Sequence, residues 1–149
     1  MAGSKTPQEH PDVLSRLILD DETEAQMIAH CLRAYPDEGC GLLAGDLATG
    51  RVLRCYAMRN AAESSRLYAI DSIDLLHADK DAESSGATLF GVFHSHTHTD
   101  PYPSPTDVDQ APDPSWHYVI ISLRHEVPTM RSYRIAARNI EEEPIERDV

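Results

Sequence analysis

Apolar residues fall into short blocks whose spacing switches between the strand and the helix period. Residues 13–19 hold Val13, Leu14, Leu17, Ile18 and Leu19 and predict a first strand. Asp21-Glu22-Thr23-Glu24 reads as a capping box, with acids suited to a helix N-terminus. Ala25, Ile28, Ala29 and Leu32 then share one helical face to about Ala34, and Pro36 ends the helix. Residues 39–45 are small and apolar and predict a buried strand. Arg51–Met58 alternates and predicts its hairpin partner. Residues 67–70 predict a short strand. Asp71 and Ser72 cap a second helix to about Ala82, carrying Ile73, Leu75, Leu76 and His77. An apolar strand over 87–93, a loop over 97–103 and a short helix over 104–111 follow. Residues 116–123 and Thr129–Ala136 predict a closing hairpin around Pro128. Residues 141–149 predict an acidic, solvated tail able to begin as an edge strand. The alternation of helices and strands makes the fold class α/β, a mixed sheet covered by helices.

The 149 residues suit one domain over 13–149, preceded by a polar arm over 1–12 that is expected to be disordered. Twenty-five acids against 13 Lys and Arg give −12, which argues against nucleic acid and anionic membrane partners. No apolar run approaches the ~20 residues of a membrane helix. The first twelve residues contain Pro7 and Pro11 and no apolar core, so no secretory signal and a cytoplasmic location are expected. Cys31, Cys40 and Cys55 are odd in number, widely spaced and without a C-x-x-C, which argues against a disulfide framework. Two readings stay open for Cys40: a small buried residue, or a nucleophile with a histidine nearby in space.

Three of the eight histidines fall within five residues, at His94, His96 and His98. His94 and His96 sit at i and i+2 at a strand end, so both imidazoles point to one side. His98 shares that parity only if the strand continues, and Pro101 and Pro103 argue that it stops. An H-x-H alone is equally an exposed or core-satisfied pair. Seven residues later Ser104-Pro105-Thr106-Asp107 has an N-cap, a favoured first helical residue and an acid in the first turn. Plain capping accounts for that segment too. Taken together, His94, His96 and Asp107 make an N/N/O metal set. Three protein ligands leave a position for water, the arrangement of catalytic zinc rather than structural zinc. A hydrolase also needs a base and an oxyanion donor. Glu38, at the turn before the small residues Gly39, Cys40 and Gly41, is the candidate base. Those small residues allow a backbone or a substrate to approach. A solvated turn glutamate is the competing reading.

Glu38, His94-Ser95-His96, Ser104 and Asp107 together resemble the JAMM (MPN-plus) metalloprotease motif, E…H-S-H-x7-S-x-x-D. Residues 38–45 also resemble that family's glutamate-bearing strand. The resemblance implies a curved mixed sheet flanked by helices, the cytidine-deaminase-like MPN fold. It implies zinc held by His94, His96 and Asp107, Glu38 as general base and acid, and Ser104 holding the water or the oxyanion. The bond cut would follow the C-terminal Gly-Gly of a ubiquitin-like protein. Tyr102-Pro103-Ser104, His117-Tyr118-Val119-Ile120 and Arg131-Ser132-Tyr133-Arg134 are similar to the Mec-type hydrolases. Those release cysteine from a ubiquitin-like sulfur-carrier protein in cysteine biosynthesis. Thr97 stands where many JAMM proteins have proline. An isopeptidase that removes ubiquitin-like modifiers from proteins and a non-catalytic MPN scaffold are the competing functions. A zinc nucleobase deaminase shares the broad fold, but its H-x-E and P-C-x-x-C signature is absent.

Overall fold

The computed structural model describes residues 15–148, so the expected arm over 1–12 and the first residues of the predicted first strand lie outside it. The chain runs β1 (Leu17–Asp20), α1 (Asp21–Ala34), β2 (Cys40–Asp46), β3 (Arg51–Met58), α2 (Ser72–Ser84) and β4 (Thr88–His96). It continues α3 (Pro105–Asp109), β5 (His117–Ser122), β6 (Thr129–Ala136), β7 (Asn139–Glu143) and β8 (Ile145–Asp148). The strands form one mixed sheet in the order β7-β6-β5-β4-β2-β3-β1-β8. The expected α/β architecture is therefore present. Among the described residues no helix is long and apolar enough to cross a membrane.

Helices cover both faces of the sheet, which is why its central strands read as continuous apolar runs rather than alternating ones. On one face α1 packs Met27 and Cys31 against Leu17, Leu19, Leu43, Phe90, Phe93, Val119 and Ile121. On the other, Ala78 and Ala82 of α2 meet Leu42, Ala44, Leu89, Val92 and Ile120. Each large side chain buried this way contributes about 1.5–3 kcal/mol. The buried stripe of α1 is Met27 and Cys31 with Ile28 beside them, while Leu32, predicted to face inward, is 53% exposed. The α1 cap is likewise one residue earlier than predicted. Asp20 accepts from Thr23 N at 2.7 Å, so Asp21 is already helical.

Residues 67–70 form no strand. Their backbone is held by Asn60, whose Nδ2 donates to Leu67 O (3.1 Å) and whose Oδ1 accepts from Ala69 N (3.1 Å), and by Ala61 N, which donates to Ala69 O (2.8 Å). An amide carries the same donor and acceptor as a peptide group and replaces a neighbouring strand here.

The tail differs most from expectation. Residues 139–148 form two strands at opposite edges of the sheet, β7 on β6 and β8 parallel to β1. Pro144 alone separates them, so the two edges must come within about 7 Å of each other and the sheet curves back on itself. Leu17 N donates to Pro144 O (3.0 Å) at the junction. Glu143, read from sequence as solvated, is buried there and accepts from Ser132 Oγ (2.6 Å) and His117 Nδ1 (2.6 Å), and also from Ser15. Arg134 Nε lies 3.3 Å from the same carboxylate.

Candidate metal centre

The two ligand-bearing histidines owe their direction to a bulge in β4. Leu43 pairs with Gly91 but Ala44 pairs with Leu89, leaving Phe90 as an extra residue. Leu89 and Val92 therefore lie on the α2 face, and Phe90 and Phe93 on the α1 face. His94 and His96 continue the Val92 side. Without the extra residue each would point to the opposite face. The strand extends through His96 and stops there, so the parity argument for His98 does not apply.

Asp107 reaches them from α3. Ser104 caps that helix in a reciprocal box: Asp107 N donates to Ser104 Oγ (3.1 Å) and Ser104 N donates to Asp107 Oδ2 (2.9 Å). The cap aims the carboxylate, so capping and site-building are one arrangement. Asp107 Oδ1 lies 3.1 Å from His94 Nε2, and Oδ2 lies 2.9 Å from His96 Nε2. All three residues are buried, and one donor atom from each lies within 4.8 Å of the others.

His96 Nδ1 faces Asp100 O at 2.9 Å. A carbonyl only accepts, so Nδ1 carries a proton, and Nε2, 2.9 Å from Asp107 Oδ2, is the nitrogen turned towards the site. Tyr68 stacks on the His94 ring, with centroids 4.5 Å apart. Burial alone would raise the Asp107 carboxyl, but the His94 and His96 imidazoles set against it outweigh burial and hold the carboxyl well below the usual range. Burial also lowers the His94 imidazole. Two buried atoms, His94 Nε2 and Glu38 Oε1, make no hydrogen bond among the described residues. Orphaned buried polar atoms are rare in native proteins and point to a missing water or ion. Two imidazole nitrogens and an ionised carboxylate, aimed at one point beside them, fit a metal ion.

Glu38 sits just before β2 and is only 4% exposed. Burial pushes its carboxyl up to about 8, with the His96 charge opposing the shift and Asp107 adding to it. Its backbone is clamped, as Glu38 N donates to Ser64 O (2.8 Å) and Asn60 Nδ2 donates to Glu38 O (3.0 Å). The glycines after it admit a backbone, not a substrate. A Cβ on Gly39 would stand 2.8 Å from the Cα of Cys31 on α1, and one on Gly41 would stand 2.3 Å from the Phe93 ring.

Glu38, His96 and Ser104 line one cavity of about 360 Å³ with Ser65, Arg66, Thr97, His98 and Thr99. A second lobe of about 510 Å³ shares His96, His98, Thr99 and Ser104 and extends to Tyr102 and Arg124. The predicted residues Glu38, His94, His96, Ser104 and Asp107 thus lie around one site. Sequence reading missed Asn60 and Tyr68, which carry no local pattern, and it quoted Ser95 in the His94-Ser95-His96 motif without giving it a role. His98 lies in the exposed loop after β4, its Nδ1 2.9 Å from Thr97 Oγ1. Cys40 is fully buried and its thiol points at the Met58 and Arg59 carbonyls (4.0 and 3.8 Å). Burial pushes that thiol up to about 12, against a nucleophilic role. His117, bonded to Glu143, is structural.

An eight-stranded curved sheet carrying a buried His-His-Asp cluster beside a buried glutamate defines a JAB/MPN-type domain. The chain belongs to the family of prokaryotic homologues of the JAB domain, which matches residues 20–136. It is 39% identical over 133 residues to a CysO-cysteine peptidase of Mycobacterium bovis, covering 87% of this chain and 89% of the relative. It is 33% identical over 113 residues to a desampylase of Haloferax volcanii, covering 72% and 81%. A solution structure of a protein from Desulfitobacterium hafniense superposes with a TM-score of 0.81 at 35% identity, covering 89% of this chain and 92% of that one. The crystal structure of a JAB1/MPN domain protein from Archaeoglobus fulgidus shares the fold, with a TM-score of 0.58 at 19% identity, covering 89% and 99%.

Proposed function

We propose that this protein is a zinc-dependent peptidase. It hydrolyses the amide bond after the C-terminal Gly-Gly of a ubiquitin-like sulfur-carrier protein and releases a single amino acid, cysteine. The observation that carries the reading is the buried Glu38 carboxyl beside three converging metal donors, with Glu38 and His96 both lining one open cavity. The 39% identity to a CysO-cysteine peptidase supports the substrate class.

In this reading His94, His96 and Asp107 hold the metal. A zinc ion bound there supplies Lewis acidity and lowers the pKa of water towards ~7. Glu38 takes a proton from the attacking water and passes it to the leaving amine, a task suited to a carboxyl raised towards neutrality. Ser104 offers its hydroxyl proton to the developing oxyanion, because its oxygen accepts from Asp107 N and its hydrogen stays available. Tyr68 holds the His94 ring, and the Asp100 carbonyl holds the His96 tautomer.

The 33% identity to a desampylase favours a second reading, an isopeptidase acting on protein conjugates. The test uses CysO–cysteine as the probe and the purified, metal-analysed protein. Mass spectrometry is expected to show loss of one cysteine, abolished by chelator and by Glu38→Ala. Full activity in Glu38→Ala would sink the mechanism. Cleavage of protein conjugates alone would select the second reading.

A further inference from the structure

We infer that Arg66 is the specificity residue that reads the free α-carboxylate of the leaving amino acid, so that the enzyme acts as a carboxypeptidase on its carrier. The inference rests on the peptidase reading above and names the chemistry its leaving-group side recognises.

A single-residue leaving group differs from a protein leaving group in one charged feature. Its carboxylate carbon lies only three bonds from the scissile carbonyl carbon, about 4 Å away. A site that releases one amino acid therefore meets a negative charge within its own cavity. A site that cuts an isopeptide meets a lysine stem instead.

This chain is poorly disposed to accept that charge. It carries −12, and two of its acids, Asp107 and Glu38, already stand at the site. Its arginines are mostly committed to its own acids. Arg16 pairs with Glu146, Arg131 with Glu142, Arg138 with Asp109 and Arg147 with Glu24. Arg124, in the outer lobe, is tied to Asp100 at 2.8 Å. Arg66 lines the cavity that holds Glu38, His96 and Ser104, and its guanidinium has no carboxylate partner among the described residues.

The backbone fixes Arg66 at this rim. The preceding carbonyls are both engaged by the site: Ser64 O accepts from Glu38 N (2.8 Å), and Ser65 O accepts from Thr97 Oγ1 (3.4 Å). Arg66 N donates to Ser64 Oγ (3.0 Å), and Leu67 O is held by Asn60 (3.1 Å). The guanidinium thus springs from a segment anchored to the base on one side and to the loop after the ligand strand on the other. A planar fork of donors suits a carboxylate bidentately.

The test compares CysO–cysteine ending in a free carboxylate with the same conjugate ending in an amide. Binding is measured on the Glu38→Gln protein and cleavage on the metal-loaded enzyme. The acid should bind and be cleaved better than the amide by about 10- to 100-fold, the range expected for a charged hydrogen-bonded pair. Arg66→Ala should abolish the preference, Arg66→Lys should restore part of it, and Arg124→Gln should leave it intact. Equal handling of acid and amide by the wild type, or a preference that survives Arg66→Ala, overturns the inference while leaving the peptidase reading standing. Cleavage of neither conjugate by the metal-loaded enzyme overturns both.

Discussion

Ser95 and Gly39 are bonded to each other twice. Gly39 N donates to Ser95 Oγ (2.8 Å) and Ser95 N donates to Gly39 O (3.0 Å). The residue between the two histidines therefore holds the residue after Glu38. This pair extends the β2–β4 ladder by one step and ties the histidine-bearing end of β4 to the segment that carries the base.

Ser95→Ala leaves Gly39 N buried without its side-chain acceptor, which costs about 1–3 kcal/mol. Because Glu38 is then positioned less tightly, kcat should fall by about 10- to 100-fold. Metal content should stay unchanged. Denaturant titration, metal analysis and turnover measured on one preparation check all three, and loss of metal in Ser95→Ala would contradict the division of labour.

Asp107 has two duties that substitution can separate. Asp107→Asn keeps an oxygen to accept from Ser104 N and so keeps the α3 cap, but it removes the charge a cation needs. Metal affinity should drop by more than about 100-fold with little change in thermal midpoint. Asp107→Ala should lose both, with the lost cap costing about 1 kcal/mol. Competition with a chromophoric chelator and thermal melts of the metal-free proteins measure the two effects.

Cys40 gives a direct test against thiol chemistry. Its thiol, buried and pushed up to about 12, should resist alkylation in the native state. Cys40→Ala should retain activity, with a stability loss of about 1 kcal/mol for the small cavity it leaves. An inactive, metal-replete Cys40→Ala protein would revive the nucleophile reading.

Glu143 sets an acid-side limit to stability. Burial would raise its carboxyl, but hydrogen bonds from His117, Ser132 and Ser15 outweigh it and its pKa lies below the ordinary 4.5. A carboxyl lowered on folding stabilises above its unfolded pKa and loses that contribution as pH falls through its folded value. The wild type should therefore exceed Glu143→Gln by about 1.5–3 kcal/mol at neutral pH, and the gap should close below pH ~4. Urea titrations of both proteins across that range measure it. A gap that widens on acidification would reverse the sign.

Local rules made much of this molecule readable in advance. The i, i+2 spacing of His94 and His96 needs only strand geometry, and Ser104-Pro105-Thr106-Asp107 needs only helix-cap chemistry. Both act within four residues, a range over which sequence and structure are tightly coupled. The order of helices and strands followed for the same reason. Glu38 stood out locally only by its turn and the small residues after it, which left a solvated acid as an equal reading until the family resemblance was added. Its burial comes from α1, the segment over 60–68 and β4 meeting around it. The extra residue at Phe90, the descent of Tyr68 onto His94 and the burial of Glu143 likewise depend on strand register and on which surfaces meet. The tail made the point most plainly, since acids that look solvated along the chain include one that joins the two edges of the sheet. Periodicity and capping are set by neighbours along the backbone, while pairing partners, burial and the charge a carboxyl carries are set by neighbours in space.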